Sequence, residues 1–295
     1  MGRIRIGVSG WNYDSWRGSF YPDELPRREE LRYAGERFDT LEINATFYRL
    51  ATPQRYERWR DAVPAETVLA VKGSRFITHN KKLADAGTAL ANLLASGILA
   101  LDTKLGPILW RLPERLHFDA DRVEGFLASL PHDTEAAGEL ARAHDDRVEE
   151  AVEGTGTNHR LRHVLEVRHP SYLCEELVAI ARRHGVALAF SHAQEWPYTE
   201  EVTAGFVYVR LHGPGELYAS SYDDDELRAW ATRLRRWRAA DQPADARTIT
   251  DHAPPDRQER DVYVYFDNDA GGHAPRNATR LRALVDEADD AGREG

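Results

Sequence analysis

The chain has 295 residues, a formal net charge of −10 and one cysteine, Cys174. This length accommodates one large domain, such as a (β/α)8 barrel, or two ordinary ones. A single cysteine excludes an internal disulfide, and no stretch reaches the roughly 18 consecutive apolar residues of a membrane span. Since the N-terminus also lacks the apolar core of a signal peptide, we expect a cytoplasmic protein with no membrane partner.

The charged residues are unevenly chosen. There are 49 acidic and 39 basic residues, and the lysines are Lys72, Lys81, Lys82 and Lys104. Many carboxylates with few lysines are typical of an acidic surface adapted to high salt, but a GC-rich genome also replaces lysine by arginine, so both explanations stay open. An acidic surface argues against a nucleic-acid partner.

Strand and helix patterns alternate along the whole chain. The predicted strands are residues 3–8, 39–43, 68–72, 107–112, 163–168, 186–190, 206–211 and 262–266. The predicted helices are residues 27–37, a segment from Thr52-Pro53 to before Pro64, and residues 83–96, 120–130, 135–151, 174–184, 223–240 and 273–288. Eight alternations predict an α/β protein in which one domain, residues 1–295, forms a TIM-type (β/α)8 barrel with outer helices. Polar stretches near residues 131–162 and 241–261 are predicted to be surface insertions.

Several predicted strands alternate apolar with polar residues. Alternate side chains of a strand share a face, so the apolar residues point one way and the polar residues the other. An outer apolar face packs on helices, and an inner polar face forms a polar mouth at one end of a barrel. The inner positions are Glu42, Asn44, Lys72, Glu166, Arg168, Arg210 and His212.

The inward charges predict the ligand class. Four cations, including Arg111, and two carboxylates give a mouth of about +2 inside a protein of −10. Such a mouth attracts a small anion with a phosphate or carboxylate group, which arginine binds in bidentate fashion. The alternative is a structural network in which these charges neutralise one another.

A loop rich in glycine and aromatic residues, residues 9–22, follows the first strand. Aromatic rings over a barrel mouth often stack on a ligand ring or a sugar face. Trp11, Tyr13 and Trp16 are therefore candidates for substrate binding, and the alternative is that they only close the end of the barrel.

Six motifs lie at or near the ends of predicted strands. They are Gly7-Val8-Ser9-Gly10-Trp11, Glu42-Ile43-Asn44-Ala45-Thr46-Phe47-Tyr48, Lys72 with Arg75-Phe76-Ile77-Thr78-His79, Glu166-Val167-Arg168-His169, Arg210-Leu211-His212-Gly213 and Tyr265-Phe266-Asp267-Asn268-Asp269. On these motifs the chain resembles the DUF72 (YecE-like) family over roughly residues 4–285. The resemblance implies a TIM-type barrel and no particular reaction. The chain departs from the family pattern at Arg111, where glutamine is usual, and at Tyr172, where tryptophan is usual.

The candidate site residues fall into two groups. Acid–base catalysis is expected from Glu42, Lys72, His79, Glu166, His169 and His212. Substrate binding is expected from Trp11, Tyr13, Trp16, Asn44, Tyr48, Arg75, Arg111, Arg168, Arg210 and Asn268. The sequence does not choose between a hydrolase, a lyase and an isomerase. We expect a monomer that acts on a small phosphorylated or carboxylated, sugar-like substrate.

Two other functions stay open. Glu42, His79, Glu166, His169, His212, Asp267 and Asp269 include the ligand types of a divalent metal, so the main alternative is a metal-dependent phosphodiesterase or endonuclease. Against it, lysine and arginine lie between these residues, and no close pair of metal-ligand histidines occurs. No cofactor is required by the sequence, and a divalent metal is the alternative. The third function is a non-catalytic ligand-binding barrel.

Overall fold

Eight parallel strands close into a barrel in the computed structural model, which describes residues 2–154, 156–255 and 258–291. Each strand pairs with the next in sequence, and β1 pairs with β8 to complete the ring. The strands are β1 (Ile4–Ser9), β2 (Thr40–Ile43), β3 (Val68–Lys72), β4 (Leu105–Arg111), β5 (His163–Glu166), β6 (Ala187–His192), β7 (Phe206–Leu211) and β8 (Asp261–Phe266). The predicted (β/α)8 barrel is therefore confirmed.

The α-helices lie along the chain between and after these strands. They are α1 (Glu30–Gly35), α2 (Ala45–Tyr48), α3 (Pro53–Ala62), α4 (Gly87–Ala95), α5 (Ala120–Ala128), α6 (Thr134–Ala141), α7 (Glu175–Arg183), α8 (Asp224–Arg238) and α9 (His273–Ala291). Long loops carry residues 142–154, 156–162, 239–255 and 258–260, within or near the two predicted insertions. Within the described part of the chain, no helix is both long and apolar enough to cross a membrane.

The alternation of each strand divides the apolar residues between two cores. Leu165 of β5 and Val207 of β7 belong to the core shared with the outer helices. Their sequence neighbours Val164 and Tyr208 belong to the core inside the barrel. Because successive side chains of a strand point to opposite faces, the next inward positions, Glu166 and Arg210, lie at the C-terminal ends of these strands.

Two predicted helices are shorter in the structure. The helix predicted over residues 27–37 is a 3-10 turn followed by α1, Glu30–Gly35. The prediction of a helix over residues 135–151 is wrong beyond Ala141, because α6 ends there. The chain turns there because Asp145 exchanges hydrogen bonds with Asn92 of α4: its N–H donates to Oδ1 of Asn92, and its Oδ1 accepts from Nδ2 of Asn92, both at 2.9 Å.

Candidate functional site

The C-terminal end of the barrel collects one polar side chain from every strand or from the residue that follows it. These side chains are Ser9, Glu42, Lys72, Arg111, Glu166, Ser191, Arg210 and Asp267. All are buried except Arg111, which is half-buried. A buried polar side chain is costly unless it is paired, so the pairing pattern shows which groups are held by the protein and which remain available to a ligand.

Arg210 is the centre of the carboxylate pairs. Its Nη1 donates to Glu166 at 3.0 Å, and its Nη2 donates to Glu42 at 2.8 Å and to Asp267 at 2.9 Å. Nη2 also lies 3.1 Å from Oγ of Ser9. One guanidinium thus bridges three carboxylates, from β2, from β5 and from the residue after β8. Arg210 is fully enclosed, and its Nη atoms contact protein partners, so it is the hub of this ion-pair network, and its predicted contact with the substrate stays a prediction.

Glu42 is fully engaged in this network. Its Oε1 accepts from Ser9 at 2.5 Å, and its Oε2 accepts from Tyr208 at 2.6 Å. Burial of Tyr208, followed by the charge of Glu42, raises the pKa of that phenol well above its ordinary value. Tyr208 therefore stays protonated and keeps donating to Glu42, which leaves this carboxylate little capacity for proton transfer to a substrate.

Glu166 is held as a carboxylate between two arginines. Burial alone would raise its pKa, but Arg168 and Arg210 outweigh burial and hold the pKa well below its ordinary value. Arg168 lies 2.9 Å from Oε1 of Glu166 and rests against the indole of Trp196, with Cζ 3.1 Å from the ring centroid. All three guanidinium nitrogens of Arg168, Nε, Nη1 and Nη2, are buried without a hydrogen-bond partner in the described chain.

Ser191, His212 and Asp267 lie in the order of a Ser–His–Asp triad. Oγ of Ser191 is 3.1 Å from Nε2 of His212, and Nδ1 of His212 is 3.2 Å from Oδ2 of Asp267. However, the Ser191 hydroxyl donates to Glu166 at 3.0 Å. Since a hydroxyl carries one proton, His212 then donates to Ser191 and does not act as its base. These three residues are thus part of the ion-pair network, and Ser191 is not an activated nucleophile.

The other side of the mouth, formed by the ends of β3, β4 and β5 and the residues that follow them, is cationic. Its members are Lys72, Arg75, Arg111 and Arg168, which we call the cationic group. Burial, followed by the positive charges of all four members, lowers the pKa of His79 to about 4. Across the described ranges, Lys72, Arg75 and Arg111 form no ion pair within 4 Å, and Nε of Arg111 is buried without a partner. His79 is accordingly a neutral imidazole at pH 7.

Lys72 is a buried member of the cationic group, at the C-terminal end of β3. Its Nζ donates to Oδ1 of Asn44 at 3.3 Å and lies over the ring of Phe47, 5.3 Å from the centroid. The guanidinium of Arg111 lies over the same ring at 5.9 Å. Burial, followed by the charge of Arg210, lowers the pKa of Lys72 to about 8.

Asp267 and Asp269 have opposite environments. Burial opposes ionisation of Asp267, but Arg210 and His212 outweigh it and keep its pKa below the ordinary value. Burial, and then the charge of Asp267, raise the pKa of Asp269. Its Oδ1 is buried without a hydrogen-bond partner. Asp269 is a carboxyl group that retains its proton more readily than usual, which the sequence analysis had considered only as a metal-ligand type.

Some predicted site residues lie outside this cluster. Trp16 is fully buried and packs on Tyr13 within its own loop, and Trp11 packs edge-on against Trp59. These contacts support the interpretation that the two tryptophans close the barrel end. Asn268 is buried and donates to the carbonyl of Ser220 and to Asn277, both at 2.9 Å.

The remaining predicted residues divide between the mouth and its surroundings. Tyr13 donates its hydroxyl to the carbonyl of Ser9 at 2.8 Å, beside Asn44. Tyr48, at the end of α2, is 68% exposed, so its ring is free to contact a ligand. His169 is half-buried and stacks on His117 with ring centroids 3.9 Å apart, away from the carboxylates.

Sequence reasoning missed Ser9, Ser191, Tyr208 and Trp196 as parts of the site. Ser9, Ser191 and Tyr208 occupy inward positions of their strands, so the alternation that identified Arg210 also contained the signal for them. Trp196 comes from an irregular loop, where no periodicity predicts its position over Arg168. Asp267 lowers the predicted mouth charge, because it adds a third carboxylate to the four cations.

The side chains do not form a metal site. In residues 2–154, 156–255 and 258–291, no group of three or more His, Cys, Asp or Glu side chains is placed to hold a metal ion. The physical reason is the arginine hub, because Arg210 already occupies oxygens of Glu42, Glu166 and Asp267. The donor arrangement gives no support to the metal-dependent alternative.

Fold and site together define a (β/α)8-barrel protein with a polar candidate ligand site at the C-terminal ends of its strands, where such barrels bind their ligands. A family model described as "Protein of unknown function DUF72" matches residues 5–294. The chain therefore belongs to the DUF72 family, and the resemblance noted in the sequence is confirmed.

Solved structures show the same fold. The crystal structure of a DUF72 family protein from Thermotoga maritima MSB8 is similar with a TM-score of 0.71 and 21% sequence identity, over 96% of this chain and 99% of that one. The crystal structure of a DUF72 family protein from Enterococcus faecalis V583 has a TM-score of 0.68 and 14% identity, over 96% of both chains. No curated protein matches this chain. At these identities the likeness shows the fold alone.

Proposed function

We propose that this barrel is an enzyme that acts by acid–base chemistry on a small anionic substrate, phosphorylated or carboxylated and sugar-like. The observation that carries the proposal is the separation of charges in the mouth. Glu42, Glu166 and Asp267 are bound to Arg210, whereas the cationic group on the other side lacks a matching number of carboxylates. An anionic ligand would supply the missing counter-charge.

Arg168 and Arg111 are the residues best placed to bind the anion. Arg168 contacts one carboxylate and keeps Nε and Nη1 without partners, and Arg111 keeps Nε without a partner. The guanidinium of Arg168 is already oriented by its contact with the indole of Trp196, so less side-chain entropy is lost when it binds a phosphate or carboxylate. Beside this group, the exposed ring of Tyr48 offers a face for the sugar-like part of the ligand.

Acid–base catalysis needs groups that change their protonation state near neutral pH. Glu42 and Glu166, both predicted catalytic residues, are bound to Arg210 and are less suited to this task. Lys72, with a pKa of about 8, can exchange a proton near neutral pH, whereas His79, with a pKa of about 4, stays a neutral imidazole that can form hydrogen bonds. We therefore assign the proton-transfer role to Lys72 and a hydrogen-bonding role to His79.

Calorimetric titration with inorganic phosphate and with small sugar phosphates tests the anion site. Loss of one charge-assisted contact costs roughly 1.5–3 kcal/mol, so Arg168→Ala and Arg111→Ala should each weaken binding about tenfold to a hundredfold. Arg115→Ala, an exposed arginine in the loop after β4, is the matched control and should bind as the wild type does. The proposal fails if the wild type binds none of these anions or if the three variants bind equally well.

A further inference from the structure

We infer that Lys72 is a covalent nucleophile, and that its substrate is an anionic aldehyde or ketone with which it forms a Schiff base. The inference rests on the proposed anion site and deepens it, because it names the reacting group of the substrate. It also narrows the chemistry to reactions that an imine assists.

The first argument is the pairing of Lys72. A lysine buried in a barrel usually needs a carboxylate, and three carboxylates lie at this end of the barrel. All three are bound by Arg210. Lys72 is 6% exposed and has one hydrogen-bond partner in the described chain, the neutral amide oxygen of Asn44 at 3.3 Å. The charges of Glu42, Asp267 and Glu166 favour the ammonium, but burial and the charge of Arg210 outweigh them, and no carboxylate contacts Lys72 directly within the described chain.

The second argument is the protonation state. Lysine amines become nucleophiles when they are desolvated or lie beside another cation. Both conditions hold at Lys72, where burial and the charge of Arg210 lower the pKa to about 8. A substantial fraction of the amine is then neutral under mildly alkaline conditions.

The third argument is position. Lys72 ends β3 at the mouth, and its Nζ and the guanidinium of Arg111 both lie within 6 Å of the centroid of the Phe47 ring, at 5.3 and 5.9 Å. An anionic group bound by Arg111 and Arg168 would hold the rest of a small molecule close to this amine. A carbonyl group a few bonds from the anionic group is therefore the electrophile that this arrangement favours.

The step balances without an oxidant or a reductant. The lone pair of the neutral amine forms the C–N bond, and the carbonyl π electrons move to oxygen. The oxygen then leaves as water with the two protons of the nitrogen, and the C=N bond remains. When this nitrogen is protonated, the iminium withdraws electrons from the neighbouring carbon, which is the assistance that lyases and isomerases of carbonyl compounds require.

Reductive trapping tests the inference on the wild-type protein. The protein is incubated with pyruvate or with dihydroxyacetone phosphate in the presence of cyanoborohydride, and the adducts are mapped by peptide mass spectrometry. The chain has four lysines, so Lys81, Lys82 and Lys104 serve as internal controls. We expect the adduct on Lys72, an increase in its rate as pH rises through about 8, and suppression by inorganic phosphate.

Two variants and one neutral carbonyl complete the design. Lys72→Arg keeps the positive charge and should abolish the specific adduct, and Arg168→Ala should reduce it at least tenfold. Acetone, which lacks the anionic group, should label Lys72 no faster than Lys82, an exposed lysine. Circular dichroism of both variants verifies that they are folded, and the mapping on the wild type does not depend on them.

The failures of the two proposals are distinguishable. Equal labelling of all lysines, or no adduct on Lys72 while calorimetry still shows phosphate binding that depends on Arg168, overturns the Schiff base and leaves the anion site standing. Absence of both the adduct and phosphate binding overturns both proposals.

Discussion

Arg210 shows how a single residue organises the candidate site. Its guanidinium bridges β2, β5 and the residue after β8 through Glu42, Glu166 and Asp267. In the function that we propose, these contacts leave the cationic group available to an anionic ligand. The different roles proposed for Arg210 and Arg168 then follow from the number of carboxylates that each contacts, three for Arg210 and one for Arg168.

We predict that Arg210→Leu destabilises the fold by about 3–5 kcal/mol, because removing one partner leaves three buried carboxylates without their counter-charge. Urea denaturation at pH 7 measures the free energy of unfolding. Arg115→Leu, at an exposed position, is the control and should change it by no more than about 0.5 kcal/mol. A decrease in the free energy of unfolding below about 1 kcal/mol for Arg210→Leu would contradict the role of Arg210 as the centre of the ion-pair network.

At the scale of the elements, β4 and β5 are joined by a buried histidine. Nε1–H of Trp110 donates to Nδ1 of His163 at 3.2 Å, and Nε2 of His163 lies 2.7 Å from the carbonyl oxygen of Pro131. With Nδ1 accepting and Nε2 donating, the imidazole is neutral. Burial lowers its pKa from 6.5 to about 4. The contact between β4 and β5 through Trp110 and His163 therefore depends on the neutral form of the His163 imidazole.

This pKa shift predicts a loss of stability in acid. Between pH 6.5 and about 4 the unfolded chain binds the proton and the folded chain does not, so stability falls as pH falls through that window. The contribution of His163 is on the order of 3 kcal/mol, from 1.36 kcal/mol per pKa unit. His79 adds to the same window, because its pKa is also lowered to about 4.

Urea denaturation at pH 7 and pH 4.5 checks the assignment. The difference in unfolding free energy between the two pH values should be smaller in His163→Gln than in the wild type. His252→Gln, an exposed histidine, should leave the difference unchanged. An equal pH dependence in His163→Gln and the wild type would show that another group is responsible.

The whole molecule carries a net charge of −10, while the barrel mouth holds Arg210, the four members of the cationic group and three paired carboxylates. The acidic excess must therefore lie elsewhere on the molecule. We propose that this surface is adapted to high salt, since crowded carboxylates repel one another at low ionic strength and salt screens the repulsion. The buried pairs around Arg210 are screened much less, so they should not weaken comparably.

We predict that the Tm rises between low and molar KCl at pH 7. The Debye length falls to about 3 Å at 1 M salt, which removes most repulsion between exposed carboxylates. Differential scanning calorimetry over a KCl series measures the effect, and the same series at pH 4.5, where more carboxylates are protonated, should show a smaller rise. A Tm that stays flat or falls with KCl at pH 7 would count against a salt-adapted surface.

The sequence by itself determined the elements and their inward faces. The period-2 alternation in β5 and β7 assigned Glu166 and Arg210 to the interior, and eight repeats of strand and helix predicted the barrel. At α8, the acidic first turn predicted the N-terminus, where Asp223 and Glu226 form a capping box. These features are local, since backbone geometry fixes the period and the end of each element within a few residues.

Only the tertiary structure decided which inward groups pair with one another. Arg210 meets Glu42 across 168 residues of sequence, and no local pattern distinguishes it from Arg168 as the partner of three carboxylates. Likewise, an irregular loop brings Trp196 over Arg168. Asn92 holds the turn after α6 through a hydrogen bond with Asp145, which lies 53 residues further along the chain. Pairing depends on distances that exist only after the barrel has closed, so the residue types at the site were predictable while their partners were not.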